Sequence, residues 1–155
     1  EPVEPRIDSL MSAFDEAGLH PIWSEDINKT IWTKLLLNVA INPVCAIVGV
    51  LNGEMLLHPE LFETGLAAME EAARIASAEG VDLTDFDLAQ SLEDLCRATA
   101  DNRVSMLQDI MAGRETEIES ICGEVVKRGE SLGIPTPRNQ TLHALVRGIE
   151  QSTRA

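Results

Sequence analysis

From residue 24 onward the apolar residues recur three and four positions apart, and no run sustains the two-residue alternation of a half-buried strand. The pattern predicts helices. Ser24, followed by Glu25 and Asp26, has the chemistry of a cap and an acidic first turn, and the helix it opens runs through Trp32, Leu36 and Val39 to a disturbance at Pro43. A second helix starts at Pro59, carries Leu61, Leu66, Met69, Ala73 and Ala76, and stops at Gly80. Thr84 and Asp87 have the spacing of a cap and its acid before Leu88, Leu92 and Leu95. Asp101 and Asn102 favour a turn, after which Val104, Leu107 and Ile110 lead to Gly113. Thr116 and Glu119 have capping-box spacing and restart a helix through Ile118, Ile121, Val125 and Val126. Gly133 to Pro137 reads as a turn, and Leu142, Leu145, Val146 and Ile149 form the stripe of a last helix.

Residues 1–24 have another texture. Pro2 and Pro5 precede a short helical pattern of Ile7, Leu10, Met11 and Phe14, which Gly18 stops, and His20-Pro21-Ile22-Trp23 then reads as a short strand. One strand cannot close a sheet. The expectation is therefore an all-α, helical bundle-like domain over residues 25–155, with residues 1–24 as the short remnant of an upstream α/β domain and the whole as a piece of a longer chain. Long apolar helices after residue 59 imply either an exposed apolar patch or a homodimer.

Charge narrows the partners. With 26 acidic against 12 basic residues the net charge is −14, which repels phosphate, so neither nucleic acid nor an anionic membrane surface is expected as a partner. The longest nearly apolar stretch, Ile41 to Leu51, is broken by Asn42, Pro43 and Gly49 and falls short of the roughly 20 residues that a membrane span needs. Cys45, Cys96 and Cys122 lie far apart without C-x-x-C spacing and read as small buried hydrophobes of a cytoplasmic protein. His20, His58 and His143 are equally scattered, and no metal site is expected. No glycine-rich phosphate cradle is present in the sequence.

The helix around residues 31–42 carries the unusual chemistry. It is apolar at nearly every position, yet Lys34, Asn38 and Asn42 recur at i, i+4 and i+8 and drift only about 80° around the axis, making a polar stripe roughly 12 Å long. Burying an amide or ammonium without partners costs several kcal/mol, so the stripe must meet a cleft, a ligand or satisfied polar groups. From the pattern alone, a lysine reaching solvent beside two asparagines that bond backbone accounts for it equally well. A second polar set includes Asn102, Ser105 and Glu117. On an unbroken helix Ser105 and Glu117 would stand about 18 Å apart on different faces, and a break at Ala112-Gly113 lets them converge. Spacing alone fits a capping serine and a solvated glutamate more simply.

Ile-Trp-x-Lys-Leu-x-x-Asn-x-x-x-Asn-Pro at 31–43, Ser-Met-Leu-Gln-Asp-Ile at 105–110, Thr-Glu-Ile-Glu at 116–119 and Gly-Ile-Pro-Thr-Pro-x-Asn at 133–139 together resemble the C-terminal domain of ketopantoate reductases. The match is collinear from about residue 24 to the end. The resemblance implies an NADP-dependent oxidoreductase of a small 2-oxo acid, 2-dehydropantoate, in pantothenate biosynthesis. The cofactor NADP would be bound mainly by a nucleotide-binding half upstream. It further implies catalytic roles for Lys34 and Glu117 and substrate contacts for Asn38, Asn42, Asn102 and Ser105. An ammonium in a partly desolvated cleft suits the reaction, because hydride arriving at a ketone carbon builds negative charge on oxygen. The family often carries a second serine where Val104 stands, which leaves open a reductase of another 2-oxo acid. A helical interaction module without chemistry is the alternative of a different class.

Overall fold

Twenty-two residues, Ile27–Val48, form one helix (α2) around which the others gather. The computed structural model describes residues 5–153. Asp26 caps α2 by accepting from the Lys29 N–H at 2.9 Å, whereas Ser24, the expected cap, bonds Thr30 Oγ1 at 2.8 Å. Trp32, Leu36 and the whole run Val39–Ala46 are buried, so apolar residues on every side of α2 find neighbours. By length and composition α2 could cross a bilayer, but here it packs against α3, α4, α5 and α7, which accounts for its apolarity. Pro43 does not end it. The helix continues to Gly49, which closes it at φ 79° with its N–H bonded to the Cys45 carbonyl. A proline in a helix interior costs about 3 kcal/mol, less than the burial of the flanking side chains returns.

Helix α3 (Pro59–Ala78) starts with proline at its first turn and crosses α2 at close quarters. A Cβ on Gly65 would lie 2.5 Å from the Ala40 carbonyl oxygen, so the two backbones meet where no side chain fits. After a loop, α4 (Leu88–Ala98) is capped by Asp87, which accepts from the Gln90 N–H at 3.0 Å; Thr84, the expected cap, lies in the preceding turn and bonds Asp82. Helix α5 (Ser105–Met111) is short, and α6 (Glu124–Leu132) and α7 (Pro137–Thr153) complete the bundle.

Two turns escaped the periodicity. A 3-10 turn at Asn52–Leu56 follows α2, and a π-turn at Glu119–Gly123 leads into α6. The expected capping box at Thr116 and Glu119 does not form: Thr116 Oγ1 accepts from the Ile118 N–H at 3.2 Å, while Glu119 pairs with Arg147 at 3.1 Å. The N-terminal region is a helix (α1, Pro5–Glu16) followed by an extended stretch, and no strand occurs among the described residues. His20-Pro21-Ile22-Trp23 was expected as a strand; with no neighbouring strand to bond, it stays irregular, and Ile22 is 93% exposed.

Helix α7 is anchored by a buried acid. Glu71 on α3, 3% exposed, accepts the backbone N–H groups of Arg138 and Asn139 at 2.9 and 3.0 Å, which are orphan donors of the first turn of α7. The Asn139 side chain donates to Glu71 and to the Ala68 carbonyl, both at 2.9 Å.

Candidate active site

The polar stripe keeps its place on α2 but changes exposure along it. Lys34 is exposed, Asn38 half-buried and Asn42 6% exposed. None of the three side chains makes a hydrogen bond or ion pair with another described residue. The amide atoms of Asn42 nevertheless retain contact with solvent, since they are absent from the sealed, unpartnered polar atoms. The asparagines therefore do not bond backbone, while Lys34 reaches solvent as the simpler reading of the stripe expects. Trp32, in the same stretch, has a packing role: it is buried beneath the Arg128 guanidinium, 5.6 Å from the ring centroid, which Glu79 and Glu124 hold in place.

The second set comes from the segments on either side of α5. Asn102 lies in the turn before it, and its backbone is fixed twice: its N–H donates to the Thr99 carbonyl at 2.9 Å and its carbonyl accepts from the Asn52 N–H at 3.0 Å. Asn52 also donates its side-chain amide to Thr99 Oγ1 at 2.8 Å and is buried, with an Oδ1 that has no protein partner. No spacing rule reveals this clamp between the 3-10 turn and the turn after α4. The usable signal was an asparagine three residues after the helix-ending Gly49, which is common. Ser105 is the first residue of α5; it is exposed and its hydroxyl bonds nothing described, while Val104 occupies the cap position without a side-chain bond. The capping-serine reading is thus not met.

Glu117 follows a real break. Helix α5 ends at Met111, the chain turns at Ala112-Gly113 with Gly113 at φ 65°, and the segment reaches Glu117 without regular structure. Thr116 and Ile118 are buried on either side and Glu117 is exposed, again with no side-chain partner among the described residues. Both α5 and the π-turn after Glu117 pack on α2, as does α7.

All six side chains are unpaired among the described residues, whereas Arg114 bonds Asp109 at 2.6 Å. A broad apolar cleft of about 730 Å³ between α3 and residues 81–88 contains none of the six. Burial pushes the thiols of Cys45 and Cys122 up to about 12 and that of Cys96 to about 11, so none is a nucleophile near neutral pH. Among the described residues no three His, Cys, Asp or Glu side chains gather as a metal site would require.

The architecture is an all-α domain wrapped on one apolar helix, with a lysine, three amides, a hydroxyl and a carboxylate unpaired among the described residues. Residues 26–150 match the family model described as ketopantoate reductase PanE/ApbA C terminal, and the chain belongs to the ketopantoate reductase family. It is 42% identical over 135 residues to a 2-dehydropantoate 2-reductase of Archaeoglobus fulgidus, covering 87% of this chain and 45% of that one. Among solved structures it resembles a PanE/ApbA family ketopantoate reductase from Ralstonia eutropha (TM-score 0.87, 32% identity, 96% of this chain and 49% of that one). It also resembles D-mandelate dehydrogenase with NADH and anilino(oxo)acetate (TM-score 0.90, 26% identity, 98% and 64%). The chain spans about half the length of the curated relatives it matches.

Proposed function

We propose that this chain is the substrate-binding half of an NADPH-dependent reductase that converts 2-dehydropantoate to pantoate in cytoplasmic pantothenate biosynthesis. The observation that carries this reading is the row of unpaired Lys34, Asn38 and Asn42 on one face of α2 in a chain of the ketopantoate reductase family. Residues 1–24 are then the end of the nucleotide-binding half, and residues 25–155 the substrate domain, which also forms a homodimer.

A nicotinamide cofactor held mainly by the other half would supply the hydride for the carbonyl carbon of the 2-oxo acid. Lys34 Nζ donates a proton to the carbonyl oxygen as charge grows there, and the nearby positive charge stabilises that oxygen before transfer completes. Asn38, Asn42, Asn102 and Ser105 bond the carboxylate and hydroxyl of the substrate, adding donors without net charge. Glu117 accepts from the substrate hydroxyl or orients the lysine. In a chain of net charge −14, a lysine without an acidic partner is a local foothold for an anion.

In the full-length enzyme, Lys34→Ala is expected to lower kcat by roughly 10² to 10⁴ fold with little change in NADPH affinity, and Asn42→Ala mainly to raise KM for the 2-oxo acid. Steady-state kinetics with a panel of 2-oxo acids checks both. A kcat for Lys34→Ala within about threefold of the parent, far less than a positioned acid is worth, removes the lysine from the chemistry. A second reading, reduction of a different 2-oxo acid, draws on the likeness to D-mandelate dehydrogenase, and a preference for aryl 2-oxo acids in the same panel would select it.

A further inference from the structure

We propose that Glu150, near the end of α7, is a positioning residue for Glu117; the proposal rests on the reading of Glu117 as a carboxylate of the substrate face. Glu150 is 5% exposed, and its Oε1 accepts the backbone N–H of Thr116 at 2.7 Å across 34 residues of sequence. The segment it touches is tied at both ends, and downstream the Glu117 carbonyl accepts from the Ile121 N–H at 3.0 Å. After the left-handed turn at Gly113, the chain is tied at its start by Arg114, whose N–H bonds the Asp109 carbonyl at 2.9 Å and whose guanidinium bonds the Asp109 side chain at 2.6 and 2.9 Å. Arg114–Thr116 then runs without regular structure. At its far end stands Thr116, with its N–H on Glu150 and its Oγ1 on the Ile118 N–H.

The alternation that results sets the direction of Glu117. Thr116 and Ile118 are buried, and Glu117 between them is exposed. Holding the Thr116 amide fixes the Glu115–Thr116 peptide, the one that leads into Glu117, while Glu150 itself is buried. A carboxylate suits the task because it only accepts, and a charged acceptor bonds an N–H more strongly than a neutral one. Glutamine keeps an acceptor oxygen at the same reach. Aspartate keeps the charge but withdraws it by one methylene.

The test uses the full-length enzyme with NADPH and 2-dehydropantoate, together with amide hydrogen exchange over residues 112–119. Glu150→Ala and Glu150→Asp are expected to lower kcat/KM for the 2-oxo acid by roughly ten to a hundredfold, the scale of a misplaced catalytic group, while KM for NADPH stays unchanged. Exchange at Thr116 should accelerate in both variants, and Glu150→Gln should restore both readouts. In a Glu117→Ala background, Glu150→Ala should cause no further loss, because the two act as one unit. Multiplying losses in the double variant, or faster exchange with undiminished kcat/KM, overturns the proposal. If Glu150→Ala does not fold, Glu150→Asp carries the comparison. An enzyme that reduces no 2-oxo acid removes the reading of Glu117 and the proposal with it. Unchanged exchange at Thr116 in an active enzyme overturns the positioning role alone.

Discussion

Glu71 and Glu150 are buried acids in a molecule already rich in negative charge, and each accepts backbone N–H from a distant segment, two groups for Glu71 and one for Glu150. Glu71 takes two such bonds and the Asn139 amide, so its removal strands three donors at once. Each buried group left without a partner costs about 1–3 kcal/mol, and Glu71→Ala should lower the unfolding free energy by roughly 3 kcal/mol or more in urea titration. Glu71→Gln, which turns a donor toward these donors, should lose about half as much; equal stability of the two variants would argue against the capping role. Asn139 lies in a motif that the family shares, yet its side chain serves this joint and not the substrate face. That division was invisible in the sequence. Glu71 and Asn139 are 68 residues apart, and no spacing rule links residues at that range. The stripe on α2 was legible because it lies within one helix and obeys its period.

At the scale of elements, periodicity placed the helices well and their ends less well. Asp26 and Asp87 took over from Ser24 and Thr84 as caps because several capping residues stand within a few positions, and only the fold decides which one meets a free N–H. Pro43 was misleading for a different reason: local chemistry opposes a helix there, and the packing around α2 outweighs it. The 3-10 turn and the π-turn differ from an α-turn by one residue in the span of their hydrogen bonds, which is below what an apolar pattern reveals. The crossing of α2 and α3 gives the sharpest test. Gly65→Ala would drive a methyl group to 2.5 Å from the Ala40 carbonyl oxygen, and backbone cannot yield as a flexible side chain does. Overpacking of this kind costs about 2 kcal/mol, a fall of roughly 4–8 °C in Tm for a chain of this size. Calorimetry returning an unchanged Tm would mean that the helices are less tightly apposed.

For the molecule as a whole, the three free cysteines link stability to alkaline pH. Their thiols are protonated in both folded and unfolded chains below about pH 9; above it the unfolded chain ionises while the folded one holds its protons to about 11 or 12. Stability is thus fully present at neutral pH and should decline as pH rises from about 9 toward 11, with a slope on the order of 1 kcal/mol per thiol per pH unit. Urea titrations across that range check it, and a variant with all three cysteines changed to alanine should show a flatter profile. The joint between Glu71 and α7 also governs how the domain is made. On the ribosome, α2 and α3 emerge long before Arg138 and Asn139, which follow Glu71 by 67 and 68 residues. Until they arrive, the acid on α3 has only water to bond, and burying it would cost more than the helix contact gains. The nascent chain therefore keeps this seam open until α7 emerges, when the core of this domain can condense together.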